Sequence, residues 1–304
     1  MKGELKHDRH SPDRPRGRRQ PCAKSSSSRA DDSSGGGFTL VELLVVVAIV
    51  ALLATVLVPS LRRGLELARA AVCRSQLNGL VKANQLYASD NEGYYVPAAS
   101  DIWWGVAGNL HRWHGVRKDL ASPFDPSRGP LARYVGADGK IRQCPSFRDF
   151  RTGAGAAAYE AGSGGYGYSD LYVGSQFWKT GFFHNSPGQL RGAKRSDVKD
   201  PAGTVMFTDA AMPQACGGRA YYVEESFCYC PLNLDAAGKP DPRSPRQPSI
   251  HFRHLGAVNV GWVDGHVDPR RDFRSVRSNI YGADPQAMMV GWFGPEDNSL
   301  FDLE

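Results

Sequence analysis

Apolar positions along this chain change rhythm three times, and each change predicts a different element. Residues 1–37 are Ser-, Arg- and Pro-rich and lack the apolar periodicity of a folded element, so they are expected to be disordered. From residue 43 to residue 60 nothing is charged, and the apolar run 43–58 is long enough to cross a bilayer as a helix. After Pro59 the pattern becomes one-sided. Leu61, Leu65, Ala68, Val72 with Cys73, Leu77, Leu80, Ala83 and Tyr87 recur at roughly helical spacing, while Arg62, Glu66, Arg69, Arg74, Lys82 and Gln85 occupy the other face. A single helix from about Phe38 to about Ser89 is therefore expected, stopped by Asp90-Asn91-Glu92-Gly93. Gly64 and Gly79 each weaken it by about 1 kcal/mol relative to alanine, so packing must support it.

Beyond Gly93 the helical period is lost and turn residues recur to the C-terminus. Residues 203–208 and 258–263 read as short strands. The second alternates, with Val258, Val260 and Trp262 on one face, and meets Asp264-Gly265, a two-residue hairpin signal, before resuming at His266. No repeat of fixed period is present. The expected fold is α+β: a long N-terminal transmembrane helix extending into a globular domain with a small antiparallel β-sheet and long loops. The divisions follow as residues 1–37 (leader), 38–61 (membrane half of the helix), 62–90 (amphipathic half) and 91–304 (a loop-rich β domain).

Composition supports that division. The chain is 41% hydrophobic, and its 34 glycines and 20 prolines suit a loop-rich, β-containing body better than a helical bundle. The net charge of +6 would suggest an anionic partner, but residues 1–37 alone hold nine Lys/Arg against five Asp/Glu. The remainder is close to balance and shows no clustered basic face, which argues against nucleic acid as a partner. Charge does not orient the span either. Arg14, Arg16, Arg18 and Arg19 precede it, and Arg62, Arg63, Arg69 and Arg74 follow it.

One acid interrupts the start of the apolar stretch. Glu42 stands five residues after the last glycine of Gly35-Gly36-Gly37-Phe38-Thr39-Leu40-Val41-Glu42-Leu43-Leu44. A carboxylate at the mouth of a span costs about 2–3 kcal/mol if it enters hydrocarbon, so it needs a purpose. An ordinary secretory signal fits poorly, because its apolar region spans about 7–15 residues and precedes the cleavage site. The segment closely resembles the cleavage and methylation signature of type IV prepilins and of type II secretion pseudopilins. The resemblance implies a pilin-like fold, cleavage by a prepilin peptidase after Gly37, N-methylation of Phe38, and Glu42 as the contact that meets a neighbouring subunit's amino terminus. It also implies that Pro59 lies where such helices often kink. It places the leader in the cytoplasm, the span in the inner membrane, and the body in the periplasm or outside the cell. The implied partners are the peptidase, other pilin or pseudopilin subunits in a helical filament, an inner-membrane assembly platform and the lipid bilayer.

A second resemblance lies further on. His254, nine residues and Asp264-Gly265 match the His-x9-Asp-Gly signature of a processing-associated domain found on many prepilin-like proteins. The residues Arg74-Ser75-Gln76-Leu77-Asn78, Cys144-Pro145-Ser146 and the stretch 201–209 also look like that subgroup.

The remaining chemistry is sparse. Cys22 falls in the leader, leaving Cys73, Cys144, Cys216, Cys228 and Cys230 on the oxidising side. Disulfides are expected between Cys73 and Cys144 and between Cys216 and either Cys228 or Cys230. The alternative, zinc on Cys216, Cys228 and Cys230, suffers from a Cys-x-Cys spacing that zinc sites rarely use. His251, His254, Asp264, His266 and Asp268 form the densest polar cluster. His254, Asp264, His266 and Asp268 would be the metal ligands there if an ion were bound, and calcium would prefer Asp209, Asp264 or Asp268. The simpler reading is that the turn needs Asp264 and Gly265, with no cofactor. The G-x-G-x-x-G match at residues 162–167 has neither strand before it nor helix after it and reads as a loop. Trp103, Trp104 and Trp113 read as core aromatics before a sugar-stacking platform. No nucleophile–base or carboxylate-pair signature supports an enzyme. Two alternatives to a filament subunit remain: a membrane-tethered ligand-binding domain that does not polymerise, and a metallohydrolase using His254, Asp264 and His266.

Overall fold

The computed structural model describes residues 37–102, 108–136, 138–147, 160–181, 187–276 and 282–304. The chain forms two compact units, Met1–Ala54 and Thr55–Glu304. The dominant element is helix α1, Leu40–Asp90, close to the span read from periodicity. It runs through Pro59. Its end is built by two successive left-handed residues, Glu92 at φ 55° and Gly93 at φ 84°. They return the Gly93 N–H to the Ala88 carbonyl at 2.8 Å, while the Asn91 side chain donates to the Tyr87 carbonyl at 2.7 Å.

The five-stranded sheet of the larger unit contains β1 (Tyr166–Ser169), β2 (Val205–Asp209), β3 (Phe227–Cys228), β4 (Val258–Trp262) and β5 (Val267–Arg270). Their order across the sheet is β5-β4-β2-β1-β3. Three pairings are antiparallel, with Val260 opposite Asp268 and Thr208, and Tyr166 opposite Asp209. The edge pairing of β1 with β3 is parallel, Tyr168 facing Phe227, a feature that local alternation does not foretell. The strand expected at 203–208 forms as β2. The one expected at 258–263 forms as β4 and is buried along its whole length rather than on one face. Its hairpin is also longer than a two-residue turn. The ladder ends at Gly261 opposite Val267, and the Gly265 N–H closes the loop on the Trp262 carbonyl.

The sheet is covered by the second part of α1. Its buried residues are Cys73, Leu77, Leu80, Val81, Ala83, Asn84 and Ala88. The stripe thus begins at Cys73, whereas the expected Leu61, Leu65 and Val72 are exposed. Gly261 lets the helix approach, since a Cβ there would lie 2.7 Å from Val81 Cγ2. Asn84 ties the helix to β1 and to the chain that follows. It donates to the Tyr168 hydroxyl at 2.9 Å and accepts from the Val96 N–H at 2.9 Å. Beneath, the cross-strand neighbours Tyr168 and Phe207 stack at 4.6 Å, with Trp113 5.1 Å from Phe207. Trp113 is wholly buried and donates to the Ser226 carbonyl, so it is a core residue. Trp103 and Trp104 lie outside the described residues.

Candidate functional site

Two places in the molecule carry chemistry. The first is the start of α1. Thr39 precedes the helix, and its N–H and hydroxyl both donate to Glu42 Oε2, at 2.9 and 2.7 Å. The Glu42 N–H returns to the Thr39 hydroxyl at 3.2 Å. This is a capping box, in which the residue before the helix and the third helical residue satisfy each other's exposed donors. The spacing Thr39-x-x-Glu42 signals it in the sequence, where the charge of Glu42 overshadows it. Gly37 and Phe38 are exposed immediately before this cap. None of residues 40–65 is buried within the chain, although every apolar side chain from Leu43 to Val58 would be driven out of water.

The second place is a polar knot in the core. Cys73 on α1, Cys144 in the loop before β1, Asp209 at the end of β2 and His254 in the turn before β4 present their side-chain donor atoms within 4.8 Å of one another. All four are buried. The Cys73 thiol donates to Asp209 Oδ1 at 3.0 Å. His254 Nε2 lies 3.3 Å from Asp209 Oδ2 and 3.6 Å from Cys144 Sγ. The Asn259 N–H donates to Asp209 Oδ2 at 2.9 Å, and the Tyr166 hydroxyl approaches Cys73 Sγ at 3.3 Å and Gln76 Oε1 at 2.7 Å. His254 Nδ1 is buried and finds no partner among the described residues, so the ring is held in the knot through Nε2.

Charge in the knot is mutually supported. Burial pushes Asp209 toward its neutral form, but His254, Arg253 and the Asn259 N–H outweigh it and bring the carboxyl down to about 2. Burial likewise opposes charge on His254, yet Asp209 and Cys144 lift it to about 9. The hydrogen bond with Cys73 favours a thiolate on Cys144, while burial raises Cys73 and keeps it protonated.

The residues expected to act together are partly separated. Cys73 and Cys144, expected as a disulfide, are neighbours here as free thiols. Cys228 and Cys230 are also free and buried, and the Cys216 side chain lies outside the described residues. His254 is not beside the other members of its expected cluster. Asp264 and His266 are exposed and pair with each other across the turn at 2.6 Å, and Asp268 accepts from the Trp262 indole N–H. His251 is buried against the ring of Tyr222, 4.4 Å between centroids. Residues 162–165 of the Gly-rich stretch form a loop leading into β1, and residues 166–167 are the start of β1 itself. The Gly162 and Ser163 N–H groups bind the chain's own Glu224 carboxylate at 2.6 and 2.8 Å, the role a phosphate would otherwise take.

The two ends of the His254–Gly265 stretch grip one helix. His254 joins the knot at Cys73, and eleven residues on, the Gly265 carbonyl accepts from the Asn78 amide at 2.7 Å while the Val263 carbonyl accepts from Gln85 at 2.8 Å. Gly265 itself sits at φ +108°, a backbone conformation that favours glycine.

A family model described as the prokaryotic N-terminal methylation motif matches residues 33–58. No curated protein and no solved structure matches the chain. The motif supports a type IV pilin-like protein that is processed by a prepilin peptidase and assembles with other pilin subunits. The long apolar helix fits the single-pass membrane anchor of such proteins.

Proposed function

We propose that this chain is a pilin-like or pseudopilin-like filament subunit of a type II secretion or type IV pilus-like system. A prepilin peptidase cuts after Gly37 and methylates the new terminus, Phe38; the chain is a substrate rather than an enzyme. The apolar stretch holds the subunit in the inner membrane with the leader in the cytoplasm and the β domain on the far side. An assembly platform then moves it into a filament, where related helices replace lipid. A body of residues 91–304 suits a specialised or minor subunit.

The observation that carries this reading is the junction itself: an accessible glycine, a capped helix start and an acid at its third residue, all ahead of an uncharged span that remains after the cut. The capping box sharpens the role of Glu42. Its carboxylate has a local partner in Thr39 in the unassembled chain, so an intersubunit charge contact must compete with or extend that pair.

Two substitutions separate the roles. Glu42→Gln keeps an acceptor for the cap but removes the charge, and Glu42→Ala removes both. Both variants should be cleaved and methylated normally, and both should fall at least about tenfold in sheared filaments, the loss of about 1.4 kcal/mol per contact. Normal incorporation of Glu42→Gln alongside failure of Glu42→Ala would reduce Glu42 to a helix cap. Normal incorporation of both would remove it from assembly, and a cleaved, membrane-held protein absent from every filament would support the tethered binding domain instead.

A further inference from the structure

The knot at Cys73, Cys144, Asp209 and His254 has more donors than its internal hydrogen bonds require. Two sulfurs, an imidazole nitrogen and a carboxylate from four separate segments converge in the buried core, where an isolated charge is costly. We propose that these four side chains are the ligands of a structural zinc(II) ion that fastens α1 to the β-sheet.

The dimensions fit. Zinc bonds of about 2.3 Å to sulfur and about 2.0–2.1 Å to nitrogen and oxygen place tetrahedral neighbours about 3.3–3.8 Å apart. The contacts here are 3.0 Å from Cys73 Sγ to Asp209 Oδ1, 3.3 Å from His254 Nε2 to Asp209 Oδ2 and 3.6 Å from Cys144 Sγ to His254 Nε2. One donor atom from each residue lies within 4.8 Å of the others, so a turn of the Asp209 carboxylate and small side-chain movements bring one oxygen, one nitrogen and two sulfurs around a common centre. The donors fit as well. Two thiolates with an imidazole and one carboxylate suit zinc and exclude calcium or magnesium, which take oxygen ligands. Four protein ligands complete a closed tetrahedral shell, the hallmark of a structural site.

The surroundings hold the ligands in place. The Asn259 N–H fixes Asp209, and the Tyr166 hydroxyl, anchored at 2.7 Å on Gln76 Oε1, lies 3.3 Å from the Cys73 sulfur; contacts of this kind around a ligand orient it toward a metal. Binding displaces to solvent every proton held on a ligand atom, those of the thiols and the one on His254 Nε2, so that two thiolates, a neutral imidazole and a carboxylate face the ion. The ion's two positive charges then face three negative ones, and the remaining charge is met by Arg253, whose field already reaches Asp209 and Cys144. A disulfide between Cys73 and Cys144 would instead consume both sulfurs and leave Asp209 with His254. In the structure the two sulfurs contact each other as free thiols, and each is also engaged with one of those two residues.

The test uses the full-length chain purified from membranes in detergent. Elemental analysis should find about one zinc per chain, as isolated or after incubation with zinc(II) and gel filtration. Cys73→Ser and His254→Gln should each lower the content at least about tenfold, while Cys228→Ser keeps it. Because loss of a ligand can unfold the domain, the wild-type chain supplies a second readout. Cys73 and Cys144 should resist alkylation until a chelator is added, and cobalt(II) in place of zinc should give the intense visible bands of a tetrahedral thiolate site. Zinc below about a tenth per chain after loading, or peptide mapping that finds Cys73 disulfide-bonded to Cys144, would overturn the proposal.

Discussion

The two stretches of α1 share one secondary structure and opposite strategies. Residues 40–65 are apolar on nearly every side until the charged positions after Ser60, and none is buried within the chain. From Cys73 onward the apolar positions narrow to one stripe, and that stripe is buried against β4, β2 and β1. A stripe needs one partner, which the same chain provides as a sheet. A helix apolar all round needs partners on every side, and only lipid or neighbouring helices supply them. The contrast explains how one protein can be an independent folded domain and a component of something larger.

Equal truncations should affect the two stretches most differently. Leu77→Ala leaves a hole beneath Gly261 and should cost the domain about 2–5 kcal/mol in denaturant unfolding. Leu53→Ala, on an exposed position, should change that unfolding by less than about 0.5 kcal/mol. Comparable losses from both would mean that the first stretch is packed too. The reverse experiment places a charge in the span. Leu53→Arg should cost about 3–4 kcal/mol of membrane insertion, seen as protein lost from the membrane fraction, with the melting of the domain unmoved.

Acidity should affect the domain and leave the span alone, because nothing between residues 43 and 60 titrates. Glu225 is a sensitive group on the acid side of neutrality. Burial, reinforced by Glu160, raises its carboxyl to about 8. The unfolded chain loses that proton near the usual glutamate range, so between about pH 5 and 8 the folded state holds the extra proton. Stability from this group therefore falls as pH rises through that window. The wild-type domain should lose about 2 kcal/mol between pH 5 and pH 7 relative to Glu225→Gln; parallel pH profiles for the two proteins would refute it. The smallest effect is local. Gly79 is exposed on the helix, and a Cβ added there would meet nothing within 4 Å. Gly79→Ala should therefore stabilise the domain by about 0.5–1 kcal/mol, read from the denaturation midpoint.

The helix is legible because its signal is repeated over fifty positions, and its stop because Asn91 and Gly93 have one local job. The boundaries of its buried stripe are less so. Leu61 and Leu65 obey the same period as Leu77, and periodicity does not say where a domain begins to cover a helix. Asn84 is hidden for the opposite reason: an apolar stripe passes over a polar residue on its own face, yet this one is buried and satisfied by Tyr168 and Val96. The knot is visible only in pieces. Cys73 with Cys144 reads as a pair because cysteines are counted together, and His254 with Asp264 as a cluster because spacing rules compare near neighbours. Asp209 is 136 positions from Cys73 and His254 is 110 from Cys144, and only the order of strands in the sheet brings them together. The parallel pairing of β1 with β3 is hidden for the same reason.

Cleavage after Gly37 with retention of the apolar stretch underlies the proposed role of this chain. Intact and amino-terminal peptide mass spectrometry of the protein taken from its native cell membrane tests it directly. The expected product is a chain beginning at N-methyl-Phe38, with Glu42 as its fifth residue and the span retained. A terminus beyond residue 58, as a conventional signal peptide would leave, or an uncut leader on the membrane-held protein, would contradict it.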